Sequence, residues 1–171
     1  MSDDVPALSQ LAKRTWSDAF GSSVPPDEEA VELESTRSEA YFVDAVRDQT
    51  ILVAESNGAL LGYVQFGDVG IAEVDLRSGD QELQRVYVDT GLQGQGLGRR
   101  LVEAALRHPR LADATRIYLQ VWEQNERAIR LYESLGFRTV GTTTFTIGSG
   151  EVAEDLVMLL ERGGASRSSG S

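Results

Sequence analysis

The chain has 171 residues, 41% of them hydrophobic, which is enough for one well-packed domain and short for two. It has no cysteine, which excludes disulfides and thiolate chemistry, and its one histidine, His108, precedes Pro109, where a capping or surface role fits better than catalysis or a metal site. A formal net charge of −11 disfavours a nucleic-acid partner and suits a cationic one, although acidity equally serves solubility.

No run approaches the roughly 18 apolar residues of a membrane span. The acidic start Met1-Ser2-Asp3-Asp4 is unlike the basic start of a signal peptide, so a cytoplasmic protein with no membrane partner is expected. Val5, Leu8, Leu11, Ala12, Trp16 and Phe20 follow helical spacing behind Ser2-Asp3-Asp4, a start that can cap. Ser22-Ser23-Val24-Pro25-Pro26 breaks that helix, and a second is expected from about Asp27 towards Val46, with Ala40, Tyr41, Phe42, Ala45 and Val46 as its apolar residues. Thr50 to Glu55 and Leu60 to Phe66 flank Asn57-Gly58, a pair that accepts the positive φ values of a type I′ hairpin turn. Asp68 to Asp80 reads as an exposed polar connection.

Glu82 to Val88 reads as a strand that empties through Asp89-Thr90-Gly91-Leu92-Gln93-Gly94-Gln95-Gly96-Leu97-Gly98-Arg99 into an amphipathic helix from about Gly96 to Arg107. Without Cβ atoms at Gly94, Gly96 and Gly98 the backbone can turn its N–H groups inward. The helix N-terminus adds unpaired donors and the positive end of its dipole, which makes a seat for an anion, most naturally a pyrophosphate. A dinucleotide fingerprint would need glycine where Arg99 stands, and a Walker loop would need G-K-[ST], which is absent. Strand Arg116 to Trp122, helix Asn125 to Leu135, and strands Phe137 to Phe145 and Glu154 to Leu160 complete the order. Asn125 suits an N-cap and Gly136 a C′ position. A domain over residues 1–161 and a mobile tail over 162–171 are expected.

Gln93-Gly94-Gln95-Gly96-Leu97-Gly98 resembles the Q/R-x-x-G-x-G/A signature of the GNAT (Gcn5-related N-acetyltransferase) superfamily. Asn125-Glu126-Arg127-Ala128-Ile129-Arg130-Leu131-Tyr132-Glu133-Ser134-Leu135-Gly136-Phe137 is similar to its second motif, at the right distance downstream. The resemblance covers about residues 82 to 141. It implies an α/β (α+β) fold, a mixed central sheet with helices on both faces. Members usually begin with a strand just before the first helix; here that strand is missing or lies upstream.

The resemblance further implies an acetyl-CoA-dependent N-acetyltransferase in which an amine attacks the acetyl group directly. It assigns the pyrophosphate to Gln93, Gly94, Gln95, Gly96, Leu97, Gly98 and Arg99, and the pantetheine arm to the backbone of Val86, Tyr87 and Val88. Asn125 either contacts that arm or only caps its helix. Tyr132 matches the general acid that protonates the departing thiolate, the alternative being a core tyrosine. Glu82 stands at the offset of the base in histone-type members, against an exposed glutamate at a strand start with an ordered water or a main-chain carbonyl as the base. Arg85, by the period of two, is expected on the opposite strand face from Glu82 and Gln84.

Ribosomal-protein alanine acetyltransferases carry a glutamate base five residues before the motif asparagine, where this chain has Gln120. Glu82 to Val88, Leu119 to Asn125 and Gly141 to Gly148 look more like the PaiA-type spermidine/spermine acetyltransferases, with Thr143 in place of a histidine. A small cationic amine, foremost a polyamine, is the expected acceptor, in a cleft with acidic lining such as Glu82 and Glu123. Protein N-terminal or lysine acetylation and a non-catalytic acyl-CoA-binding module are the alternatives. A homodimer is compatible with the reading.

Overall fold

The computed structural model describes residues 4–146 and 150–163. Ser2 and Asp3 of the expected first cap, Gly148, and the tail from residue 164 onward lie outside the described residues. Helix α1 (Val5–Phe20) turns Val5, Leu8, Leu11 and Ala12 inward; Asp4 stands at its N-cap without a side-chain bond. The expected second helix is two helices, α2 (Pro26–Arg37) and α3 (Glu39–Asp48). Between them Ser38 is extended at φ −71° and ψ 164°, and its Oγ accepts the Tyr41 N–H at 3.1 Å, so Ser38 starts a new helix.

Strands β1 (Thr50–Ser56) and β2 (Ala59–Gly67) form the expected hairpin, with Asn57 at φ 51° and Gly58 at φ 79°, the type I′ signature. The connection to β3 (Gln81–Val88) is less exposed than its composition implies: Ile71 is buried with Tyr118, Val157 and Leu159, and Asp80 is buried as well. Helix α4 (Leu97–Arg107) is followed by a short helix α5 (Pro109–Ala112) that periodicity did not reveal. His108 caps α5, its Nδ1 accepting the Arg110 N–H at 3.2 Å, as its place before Pro109 suggested. Strand β4 (Arg116–Trp122), helix α6 (Glu126–Ser134), β5 (Arg138–Thr146) and β6 (Val152–Glu161) follow.

The sheet has six strands in the order β1-β2-β3-β4-β6-β5, and only the β3–β4 pair is parallel. Among the described residues no strand precedes α1. One face carries the larger core, in which Val64, Leu83, Ile117 and Met158 meet Leu101 of α4 and Tyr132 of α6. On the other face α1 and α3 pack Leu8, Leu11 and Phe42 against Tyr63 of β2. Each fully buried aliphatic side chain contributes roughly 1.5–3 kcal/mol, which holds the helices to the sheet despite the polar, mostly exposed α2 between α1 and α3.

Two irregularities shape the molecule. Gln65 pairs with Arg85 but Phe66 pairs with Leu83, so Gln84 is an extra residue, a β-bulge in β3. The bulge overturns the expected alternation: Gln84 and Arg85 both reach the α3 side, Gln84 Oε1 lying 3.3 Å from Gln65 Nε2 and Arg85 stacking 4.7 Å from the ring of Tyr41, whose hydroxyl accepts from Gln65 Nε2. Parallel pairing of β3 with β4 is confined to Gln81 with Ile117 and Glu82 with Tyr118. Beyond that rung the two strands part.

Candidate functional site

The parting of β3 and β4 leaves one edge of Val86 to Val88 without a strand partner, and the chain then enters the glycine turn. Gly94 at φ +89° and Gly96 at φ +79° are left-handed, a conformation that L side chains rarely adopt. Gly98 is different: it lies inside α4, where a Cβ would meet Val88 Cγ2 at an ordinary 3.7 Å, so its backbone does not require glycine. The first helical bond of α4 runs from the Arg100 N–H to the Gly96 carbonyl at 3.1 Å, which leaves the N–H groups of Leu97, Gly98 and Arg99 without intrahelical acceptors.

A cation stands over this turn, and it is not Arg99. Arg99 is tied back to Glu103 at 3.0 Å and to Ser134 Oγ at 2.9 Å. Arg127 of α6 lies so close that a Cβ on Gly94 would meet its Nη2 at 2.9 Å, and it has no carboxylate partner among the described residues. Arg127 was not anticipated; its position two residues after the motif asparagine was the available signal.

A cleft of about 340 Å³ joins these parts. It is lined by Val86, Val88, Gln93, Gly94, Gly96, Leu97, Gly98, Arg99, Asn125, Arg127 and Tyr132, with Leu92, Ala128 and Leu131. The structure therefore brings most of the expected cofactor residues together, and leaves Tyr87, Gln95 and Glu82 out of this lining. Asn125 caps α6, its Oδ1 accepting the Ala128 N–H at 3.2 Å. Tyr132 is only 8% exposed, its ring set against Phe137, and among the described residues no hydrogen bond engages its hydroxyl. Burial pushes that phenol above its ordinary range, so it stays protonated at neutral pH.

Tyr87 faces the other side of the sheet, stacked on Tyr63 with ring centroids 5.7 Å apart. Glu82 is on this side too, at the last paired rung of β3 and β4. It is 7% exposed, not the exposed strand-start residue of the alternative reading. Its Oε2 accepts the Gly70 N–H at 2.7 Å; burial raises its carboxyl above the ordinary glutamate range, and that one N–H works against the rise.

Further along the same face Gln120 donates to Thr143 Oγ1 at 2.9 Å, and Trp122, Asp155 and Thr143 stand in one row across β4, β6 and β5. The end of α1 closes over that row, with Phe20 and Trp122 in edge contact at 6.3 Å. Arg14 and Asp18 of α1 bond Asp89 and Thr90 and fix the helix there. Arg37 is held between the rings of Trp16 and Tyr87 and paired with Glu32 at 2.8 Å. Glu123, the other expected acidic group, is exposed in the turn after β4. Asp155 was not anticipated.

Residues 6–137 match the family model described as the Acetyltransferase (GNAT) family. The chain is 31% identical over 160 residues to an uncharacterised N-acetyltransferase of Mycobacterium tuberculosis, covering 92% of this chain and 97% of that protein. It is 36% identical over 89 residues to the spermine/spermidine N(1)-acetyltransferase of Bacillus subtilis, covering 52% of this chain and 59% of that one. Its fold is that of the PaiA N-acetyltransferase of Thermoplasma acidophilum, solved with coenzyme A, at a TM-score of 0.73, 17% identity and 94% coverage of both chains. With a family model spanning most of its length and a relative matched nearly end to end, this chain belongs to the GNAT family of acetyltransferases.

Proposed function

We propose that this acetyltransferase acetylates a small cationic amine, a polyamine foremost, with the cosubstrate on the α4–α6 side of the β3–β4 gap and the amine on the α1 side. The family uses acetyl-CoA, and the residues present fit it. Two left-handed glycines keep side chains away from the turn, three N–H groups lack acceptors, and Arg127 supplies a positive charge. Bound there, acetyl-CoA supplies an activated thioester with a thiolate as leaving group.

The chain's own residues then divide the work. Peptide groups of Val86 to Val88 offer edge hydrogen bonds to the amide-bearing arm, as a strand would. Asn125 keeps its amide N–H groups for the cleft while its Oδ1 caps α6. Tyr132 holds a proton at its free hydroxyl for the departing sulfur. An alkylamine has a pKa near 10 and arrives as an ammonium ion, so the carboxylate of Glu82 takes its proton directly or through a water. Burial raises the basicity of that carboxylate, which suits it to the task.

The observation that carries this reading is the placement of the two groups: a free phenol lines one side of the parted strands, and a buried carboxylate sits on the other. The net charge of −11 and the partial likeness to a spermine/spermidine acetyltransferase support a cationic acceptor. The test is thiol release from acetyl-CoA across spermidine, spermine, amino acids, aminoglycosides and short peptides. Turnover led by the polyamines is expected. Turnover of peptides alone would replace the acceptor while leaving the acetyltransferase in place, and no turnover with any amine would favour a binding module.

A further inference from the structure

We infer that Asp155 anchors the second positive charge of the acceptor, so that this site selects long dicationic amines over monoamines. The inference rests on the cationic-amine reading above. In the sheet Asp155 of β6 lies directly opposite Trp122 of β4 and Thr143 of β5. All three share the face that carries Gln120 and is closed by Phe20 of α1.

The carboxyl is half-buried, and no hydrogen bond or ion pair engages it among the described residues. Four guanidinium groups on this side are committed elsewhere: Arg14 to Asp89, Arg37 to Glu32 and two aromatic rings, Arg85 to the Thr36 carbonyl and the Tyr41 ring, and Arg116 to Asp80. A half-buried carboxylate without a counter-charge is costly unless a cation completes it. Burial accordingly raises its pKa. An alkylammonium would supply the missing charge and the donors, and the neighbouring Trp122 ring adds a cation–π surface. Thr143 and Gln120 satisfy each other, which leaves Asp155 as the anionic group of the row.

The spacing selects for length. Glu82 pairs with Tyr118, and Asp155 with Trp122, four residues further along β4 and on its other side. At about 3.3 Å per residue and about 4.8 Å per strand, the two Cα atoms stand roughly 16 Å apart. One ammonium cannot meet both carboxylates; a linear chain with amines at both ends can.

The test compares spermidine with n-butylamine as acceptors for wild-type protein and Asp155→Asn at saturating acetyl-CoA. The wild type is expected to prefer spermidine in kcat/KM. In the variant the spermidine KM should rise about tenfold more than the butylamine KM, with Asp155→Glu recovering part of the preference. Calorimetric titration with acetyl-CoA verifies that the variant is folded. Parallel changes in both KM values, or none, would overturn the role of Asp155 while the cationic-amine reading stands. Failure of the wild type to acetylate either amine would overturn that reading and this inference together.

Discussion

The two ends of the β3–β4 pair are built in opposite ways. At the closed end Arg116 grips Asp80 with two bonds, Nε to Oδ1 at 2.9 Å and Nη2 to Oδ2 at 2.5 Å, and Asp80 also accepts the Arg77 N–H. Both side chains are largely buried, and Glu82 pairs with Tyr118 just above them. At the open end Val86 and Val88 line a cleft, the Tyr132 hydroxyl has no partner among the described residues, and the glycine turn presents unaccepted N–H groups. The closed end spends its hydrogen-bonding capacity internally and fixes where the strands diverge. The open end keeps its capacity for a ligand, as unpaired peptide groups are tolerable only where something else will meet them.

Substitutions at the open end should therefore damage function without unfolding, and those at the closed end should do the reverse. Tyr132→Phe removes only the hydroxyl, so steady-state kinetics should show kcat lowered by about 10² to 10⁴-fold, the usual worth of general acid catalysis, with acetyl-CoA affinity little changed. Unaltered turnover in single-turnover mixing would return Tyr132 to a packing role.

Asp80→Asn leaves Arg116 buried beside a neutral amide. Removing one partner of a buried pair costs about 3–5 kcal/mol, which chemical denaturation would register. The loss should also depend on pH. Arg116 holds the Asp80 carboxyl below the usual carboxylate range, so the stabilisation is present above the unfolded value near 3.9 and disappears as pH falls through the lower folded value. The gap between wild type and variant should close in acid, and a gap constant with pH would count against the ion pair.

Glu82 gives the opposite sign at the junction of the two ends. Its folded pKa is raised, so wild-type stability relative to Glu82→Gln should fall as pH climbs through that value, and thermal melts from pH 4 to 8 should show the variant gaining. The same variant should lose the acidic limb of the kcat/KM profile. Retention of that limb would reassign the base. The smallest effect expected is ionic: the KM for spermidine should climb with salt more steeply than that for a monoamine, because the Debye length falls from about 10 Å at 0.1 M to about 3 Å at 1 M.

Local chemistry made the turns and helix caps legible in the sequence. The Asn57-Gly58 turn, the left-handed Gly94 and Gly96, the Asn125 cap and the Gly136 terminus at φ +100° each state their conformation within a few residues. What escaped depends on partners distant in the chain. The bulge at Gln84 exists only in register with β2, and Ile71 is buried only because β4 and β6 lie beneath it. Asp155 meets Trp122 only because β6 inserts between β4 and β5. The α2–α3 break had a local signal in Ser38, but the polar α2 offered no periodicity against which to see it.

Calorimetric titration of acetyl-CoA into Gly96→Glu tests most directly whether the glycine turn at the open end seats the pyrophosphate. No atom lies within 4 Å of a Cβ built at Gly96, so the new side chain has room to stand in the cleft, adding strain at φ +79° and a negative charge where the phosphates belong. The account predicts binding weakened at least about a hundredfold, a differential of roughly 2.8 kcal/mol, with the cooperative thermal unfolding of a folded protein retained. Wild-type affinity in the folded variant would contradict it.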